Sequence, residues 1–239
     1  MSSQEYIEEM FPFDKPLTSR HRKDFVEYLS LEILKYCYND TYINFFVVDK
    51  PDIQNSDKIV GIEVTEAISR EDAQIEGEFV KYRIKNDANS KIRSKAIIEA
   101  NGGKMDELSL SYPTKTLLME KNVFQNVLRN KLKKFKTYKE KGFEKIGLFI
   151  YYDEPPIPFR LNDIKVWFDE VLEQYSEKYD WIYFSYPYGI IRYDIKENNI
   201  QATAIRREDY NTLQFNARVS VEEKYKKQPQ ISVSSPPVH

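Results

Sequence analysis

Two acidic residues, Asp52 and Glu63, are the chain's best-placed material for chemistry. Asp52 follows a proline, ten residues separate it from Glu63, and Glu63 interrupts an otherwise apolar run, Ile-Val-Gly-Ile-Glu-Val-Thr at 59–65. Alternate side chains of a strand share a face, so Val60, Ile62 and Val64 point one way while Ile59, Gly61, Glu63 and Thr65 point the other. Glu63 is thus aimed off a glycine-opened, partly polar face, as a solvent-exposed strand residue or as part of a site. A hairpin turning through Asn55-Ser56-Asp57 can bring Asp52 close to it. Two carboxylates with nearby backbone carbonyls suit Mg²⁺ or Mn²⁺, hard cations that prefer oxygen ligands.

Other chemistries have little to draw on. The two histidines are His21, before the first expected helix, and His239 at the chain end. Ser-His-Asp, Cys-His and multi-histidine zinc sites therefore have almost no material. Among seven glycines there is no phosphate loop or dinucleotide fingerprint, and Gly102-Gly103-Lys104 lacks both the spacing and the following hydroxyl. Cys37, the single cysteine, can form no intrachain disulfide and falls on the apolar side of a helix as a buried thiol. The net charge of −2 exerts no global pull on nucleic acid or membrane, so such a partner has to be recruited by a local patch. The first residues lack a basic and apolar leader pattern, and no run reaches the ~18 apolar residues of a spanning helix. A cytoplasmic protein with no membrane partner is expected.

The elements that would position the acids can be read from periodicity. With 239 residues, 41% hydrophobic and 31% charged, the chain reads as one α/β domain over 19–221 between polar tails at 1–18 and 222–239. A helix is expected near 20–38, a strand at 43–49, and a hairpin strand from Pro51-Asp52-Ile53 into a strand at 58–65. Charged helical sequence fills 70–100, followed by a loop at 101–103 and a long helix over 118–140. A strand at 145–152, a helix at 161–177 and strands at 180–186, 189–195 and 200–206 complete a mixed central β-sheet flanked by helices, in the order α-β-β-β-α-β-α-β.

At about 100° per residue, Val123, Phe124, Val127, Leu128, Phe135 and Tyr138 form one apolar stripe of the long helix, with Lys131 near its centre and Lys134 at its edge. Lys133 and Lys136 fall on the opposite side. Two readings of Lys131 stand: its ammonium reaches a carboxylate such as Glu63, or it snorkels to the surface over its own methylenes. From 129 to 145 eight basic residues face only Glu140 and Glu144. Lys133, Lys134 and Lys136 could hold a phosphate backbone without reading sequence, or form a solvated helix face. Tyr183, Phe184, Tyr186 and Tyr188 could stack bases or pack in the core.

Pro51-Asp52, ten residues, then Glu63-Val64-Thr65, set between a preceding helix and strand and a following helix and strand, resembles the PD-(D/E)XK nuclease superfamily. Gly-Ile-Glu-Val-Thr-Glu-Ala at 61–67 looks most like a group of bacterial and phage proteins within it. The resemblance covers about 20 to 186. It implies a restriction-endonuclease-like core, Asp52 and Glu63 as metal-binding acids, and the Val64 carbonyl as a further ligand to Mg²⁺ or Mn²⁺. The family lysine, two positions after the glutamate, is Thr65 here, so Lys131 would have to replace it. Members often carry an acid on the first helix near the metal. On that helix Phe25, Val26, Leu29, Ile33, Tyr36 and Cys37 form the apolar face, Glu27 lies opposite, and Glu32 sits on the border, so Glu32 is the acid to carry over, or else a half-exposed edge residue. The implied function is a metal-dependent nuclease hydrolysing phosphodiester bonds, with DNA as partner and a homodimer compatible. A second reading is a catalytically inactive nuclease fold that binds nucleic acid or protein. A third, an unrelated α/β protein, would leave Asp52 and Glu63 far apart.

Overall fold

The computed structural model describes residues 19–106, 109–153 and 160–226. The expected N-terminal tail, and 227–239 of the expected C-terminal tail, lie outside the described residues. In chain order the elements are α1 (Ser19–Cys37), α2 (Asn39–Tyr42), β1 (Phe45–Val47), β2 (Ile53–Asn55) and β3 (Val60–Glu66). They continue with α3 (Arg70–Ile84), α4 (Ala88–Ala100), β4 (Lys104–Met105), β5 (Leu110–Ser111), α5 (Leu117–Leu132) and α6 (Phe135–Lys139). The last are β6 (Lys145–Tyr151), α7 (Leu161–Leu172), β7 (Trp181–Tyr186), β8 (Gly189–Asp194), β9 (Asn199–Ala204) and α8 (Arg207–Lys226).

Seven strands form a mixed sheet in the order β1-β2-β3-β6-β7-β8-β9. The parallel pairs β3/β6 and β6/β7 occupy the centre, and antiparallel hairpins flank them on both sides. Central strands buried on both faces need apolar residues in both phases, and Ile-Gly-Leu-Phe-Ile-Tyr at 146–151 supplies them. Ile146, Leu148 and Ile150 join Phe124, Leu128 and Phe168 beneath α5 and α7, whereas Phe149 and Tyr151 join Leu29, Ile33 and Ala217 beneath α1 and α8.

The structure departs from the sequence expectations in two places that bear on the site. The expected helix over 118–140 is broken: α5 ends at Leu132 and α6 starts at Phe135. The expected tail from 222 begins inside α8, which runs to Lys226 and docks on α1, with Lys224 Nζ 2.8 Å from Asp24 Oδ1 and the Tyr225 hydroxyl on Asp24 Oδ2. As a result α1 is covered by the sheet on one side and by α8 on the other. That is why Asp24 is buried although it does not lie on the apolar stripe of α1.

Candidate functional site

The hairpin β2/β3 sets the frame. Ile53 pairs with Ile62 and Gln54 with Gly61, and one further step of that register puts Asp52 opposite Glu63. Pro51 can approach only because position 61 has no side chain: a β-carbon on Gly61 would lie 2.3 Å from Pro51 Cγ. The turn is fastened by the Asn55 side chain, whose Oδ1 accepts from the backbone N–H groups of Ile59 and Val60, each at 3.0 Å. Asp52 Oδ2 then accepts from the backbone N–H of Val64 at 2.8 Å, which ties the first acid to the residue after the second.

Lys131 reaches this point from the last turn of α5. Its Nζ lies 2.5 Å from Glu63 Oε1 and 3.1 Å from the Val64 carbonyl oxygen. Of the two sequence readings of Lys131, the carboxylate-paired one describes the geometry. The break after α5 matters here, because in a straight helix residues 131 and 138 stand about 10 Å apart along the axis. With the chain turning at Lys133-Lys134, the Tyr138 hydroxyl also comes beside Glu63. Burial first, and then this contact with the Glu63 carboxylate, push the Tyr138 phenol up. Glu63 Oε2 is buried and meets no donor at hydrogen-bonding geometry. The Tyr179 hydroxyl donates to the Lys131 carbonyl at 3.1 Å and holds the end of α5 in place.

A third acid belongs to the cluster, and it is not the expected one. Glu32 is half-buried at the α1/α8 seam, where its Oε2 lies 3.4 Å from Asn216 Nδ2. Glu27, read from the sequence as facing away from the core, is 4% exposed and lies beside Asp52, which is 5% exposed, as Glu63 is 6%. The physical reason is that the buried face of α1 is wider than its stripe: Leu31 and Leu34, four and seven residues on from Glu27 and so on its side of the helix, are buried too. Lys23, one turn earlier, has its Nζ 3.2 Å from Glu27 Oε1 and 4.0 Å from Asp52 Oδ1. Buried acids repel one another's charge. Burial, then the charge of Glu63, push Asp52 up to about 7, against the opposing Val64 N–H. Burial likewise raises Glu27, with Lys23 opposing.

The remaining expected site residues are dispersed. Thr65 is half-buried on β3 opposite Ile150. Lys133, Lys134 and Lys136 are exposed on the turn between Lys131 and Tyr138, and among the described residues no carboxylate pairs with them. Tyr183 and Phe184 are buried at 1% and 0% exposure and cannot stack bases. They fill opposite faces of the sheet, Tyr183 sharing a 2.7 Å hydroxyl contact with Tyr42. Tyr186 packs half-buried against the core, and Tyr188 is exposed. Cys37 is half-buried rather than buried, and burial pushes its thiol up to about 11. Glu66, at the end of β3, is bound by the Arg22 guanidinium, which also meets Asp153 Oδ2 at 3.0 Å.

The site is therefore two buried acids in register on one hairpin, a third acid behind them, and one lysine delivered by a helix from the next crossover. No family model, curated protein or solved structure matches this chain. Among the described residues no three His, Cys, Asp or Glu side chains are grouped so as to hold a metal by themselves. A cation here would need a main-chain oxygen as well as the two acids, and the Val64 carbonyl is the one in place. Also among the described residues, no helix is long and apolar enough to cross a membrane.

Proposed function

We propose that the protein is a metal-dependent nuclease with a restriction-endonuclease-like core, acting on phosphodiester bonds in DNA. One observation carries the reading: Asp52 and Glu63 lie buried side by side, with the Val64 carbonyl and the Lys131 ammonium against them. The donor set fits a hard divalent cation, being all oxygen, with Glu63 Oε2 buried and unsatisfied by any hydrogen bond. Asp52, Glu63 and the Val64 carbonyl would hold Mg²⁺ or Mn²⁺. Such an ion polarises the scissile phosphate and lowers the pKa of a bound water.

The chain's own residues have separate parts in this reading. Lys131 supplies a positive charge where negative charge grows on the phosphate oxygens, the place of the missing lysine at Thr65. Glu27 adds a third negative charge behind Asp52 and favours a cation in front of it. Lys133, Lys134 and Lys136, just beyond Lys131, are exposed where a phosphate backbone could lie, and they would position DNA without reading its sequence.

A specific observation also favours a second reading, an inactive nuclease fold that binds nucleic acid or protein. Thr65 stands at the motif position, and the Lys131 ammonium already neutralises Glu63. Incubation with single-stranded, duplex and branched DNA in Mg²⁺ or Mn²⁺ separates the two. Cleavage that is lost in Asp52→Asn and Glu63→Gln supports the nuclease, whereas intact DNA in every case supports the binding module.

A further inference from the structure

The Lys131 ammonium holds Glu63 Oε1 and the Val64 carbonyl at 2.5 and 3.1 Å. These are two of the three donors that a cation shared with Asp52 would use. Divalent ions sit about 2.0–2.6 Å from their oxygens, so an ion and this ammonium cannot hold the same pair of oxygens at once. Resting on the nuclease reading, we propose that Lys131 is a tethered competitor for the metal seat: its ammonium must leave Glu63 and Val64 before a divalent ion enters.

Three features of the site support the exchange. First, no other cationic side chain among the described residues lies within ion-pair distance of Glu63. Lys131 is therefore what keeps that buried carboxylate compensated in the metal-free protein, a compensation that buried charges require. Second, the lysine has somewhere to go. Its side chain is 18% exposed at the end of α5, beside the exposed turn at Lys133-Lys134, and a four-carbon stem can swing its head to solvent. Third, the charge balance points the same way. Without Lys131, the buried acids Asp52, Glu63 and Glu27 would have, among the described residues, only Lys23 within ion-pair distance, and its side chain is 69% exposed.

The lysine that would assist turnover thus weakens metal binding, so the two properties should separate on mutation. Mn²⁺ binding to the full chain, followed by calorimetry and by loss of the free-ion paramagnetic signal, reads this without any substrate. Lys131→Met is expected to bind Mn²⁺ about tenfold more tightly than the parent, in line with removing one unit charge a few ångströms away. Lys131→Gln, which keeps a polar head, covers the case in which the methionine variant does not fold. Lys95→Met, an exposed lysine on α4, should leave Mn²⁺ affinity unchanged. Mn²⁺ should also raise the melting temperature of Lys131→Met more than that of the parent. Equal or weaker Mn²⁺ binding by both Lys131 variants, with binding still abolished by Glu63→Gln, overturns the competition and leaves the metal site standing. Mn²⁺ binding that survives both Asp52→Asn and Glu63→Gln overturns the metal site and the competition together.

Discussion

The ring of Pro51 rests on the Cα of Gly61, so closely that a β-carbon there would lie 2.3 Å from Pro51 Cγ and 3.2 Å from the Phe143 ring. Neither neighbour is the free end of a flexible chain, so one of the two strands has to move. Gly61→Ala is expected to cost about 1–3 kcal/mol, as overpacked interiors do. It should also pull Asp52 out of register with Glu63. Denaturant unfolding measures the first effect and Mn²⁺ titration the second. Retained stability and retained Mn²⁺ affinity together would show that the contact is not needed.

The elevated Asp52 carboxyl has a consequence for stability against pH. Its folded pKa of about 7 lies above its ordinary value of 3.8. Between those values the folded state binds the extra proton, so stability falls as pH rises through the window and is level outside it. In metal-free buffer with a chelator, Asp52→Asn should remove that slope, gaining on the parent as pH rises from about 4 to about 7. Parallel stability curves for the two proteins across that range would place the Asp52 pKa near its ordinary value.

The Glu63 and Lys131 charges should be strongly coupled in the absence of metal. Lys131→Met leaves Glu63 buried and uncompensated, at a cost on the order of 3 kcal/mol for a largely buried pair. Adding Glu63→Gln removes the stranded charge and should restore most of the loss. A double-mutant cycle by urea unfolding reads this directly. Additive effects would mean that the contact contributes no net coupling.

Much of this arrangement is legible in the sequence. The hairpin follows from alternation around Asn55-Ser56-Asp57, and the inward lysine follows from a period of 3.6 on the α5 stripe. Both signals are local. Glu27 was hidden because the stripe drawn on α1 leaves out Leu31 and Leu34, which share its side of the helix and are buried with it, and Asp24 because α8 covers it. A signal for α8 does exist: Tyr210, Leu213, Ala217 and Val221 are all buried and recur at helical spacing. The chain around them is polar enough to pass for surface. The break at Lys133-Lys134 has no helix breaker to announce it, since neither glycine nor proline stands there. Tertiary contacts set it, with Tyr179 bonding the Lys131 carbonyl and Phe135 and Tyr138 turned into the core.

The replacement of the motif lysine can be tested by moving it back. Residues 63 and 65 point to the same side of β3, so a lysine at 65 would start from the face that carries Glu63. Lys131→Met should lower turnover on DNA by roughly 10²-fold, the scale of losing one positioned charge at the transition state. Lys133→Met, two residues on and exposed, should raise KM in a salt-dependent way instead, as a single screened phosphate contact would. If both variants lose turnover alike, Lys131 has no special part in the chemistry. The informative background is Lys131→Met with Thr65→Lys. Recovered cleavage there would mean that the acids and their metal are correctly built and that only the position of the positive charge has migrated from the strand to the helix.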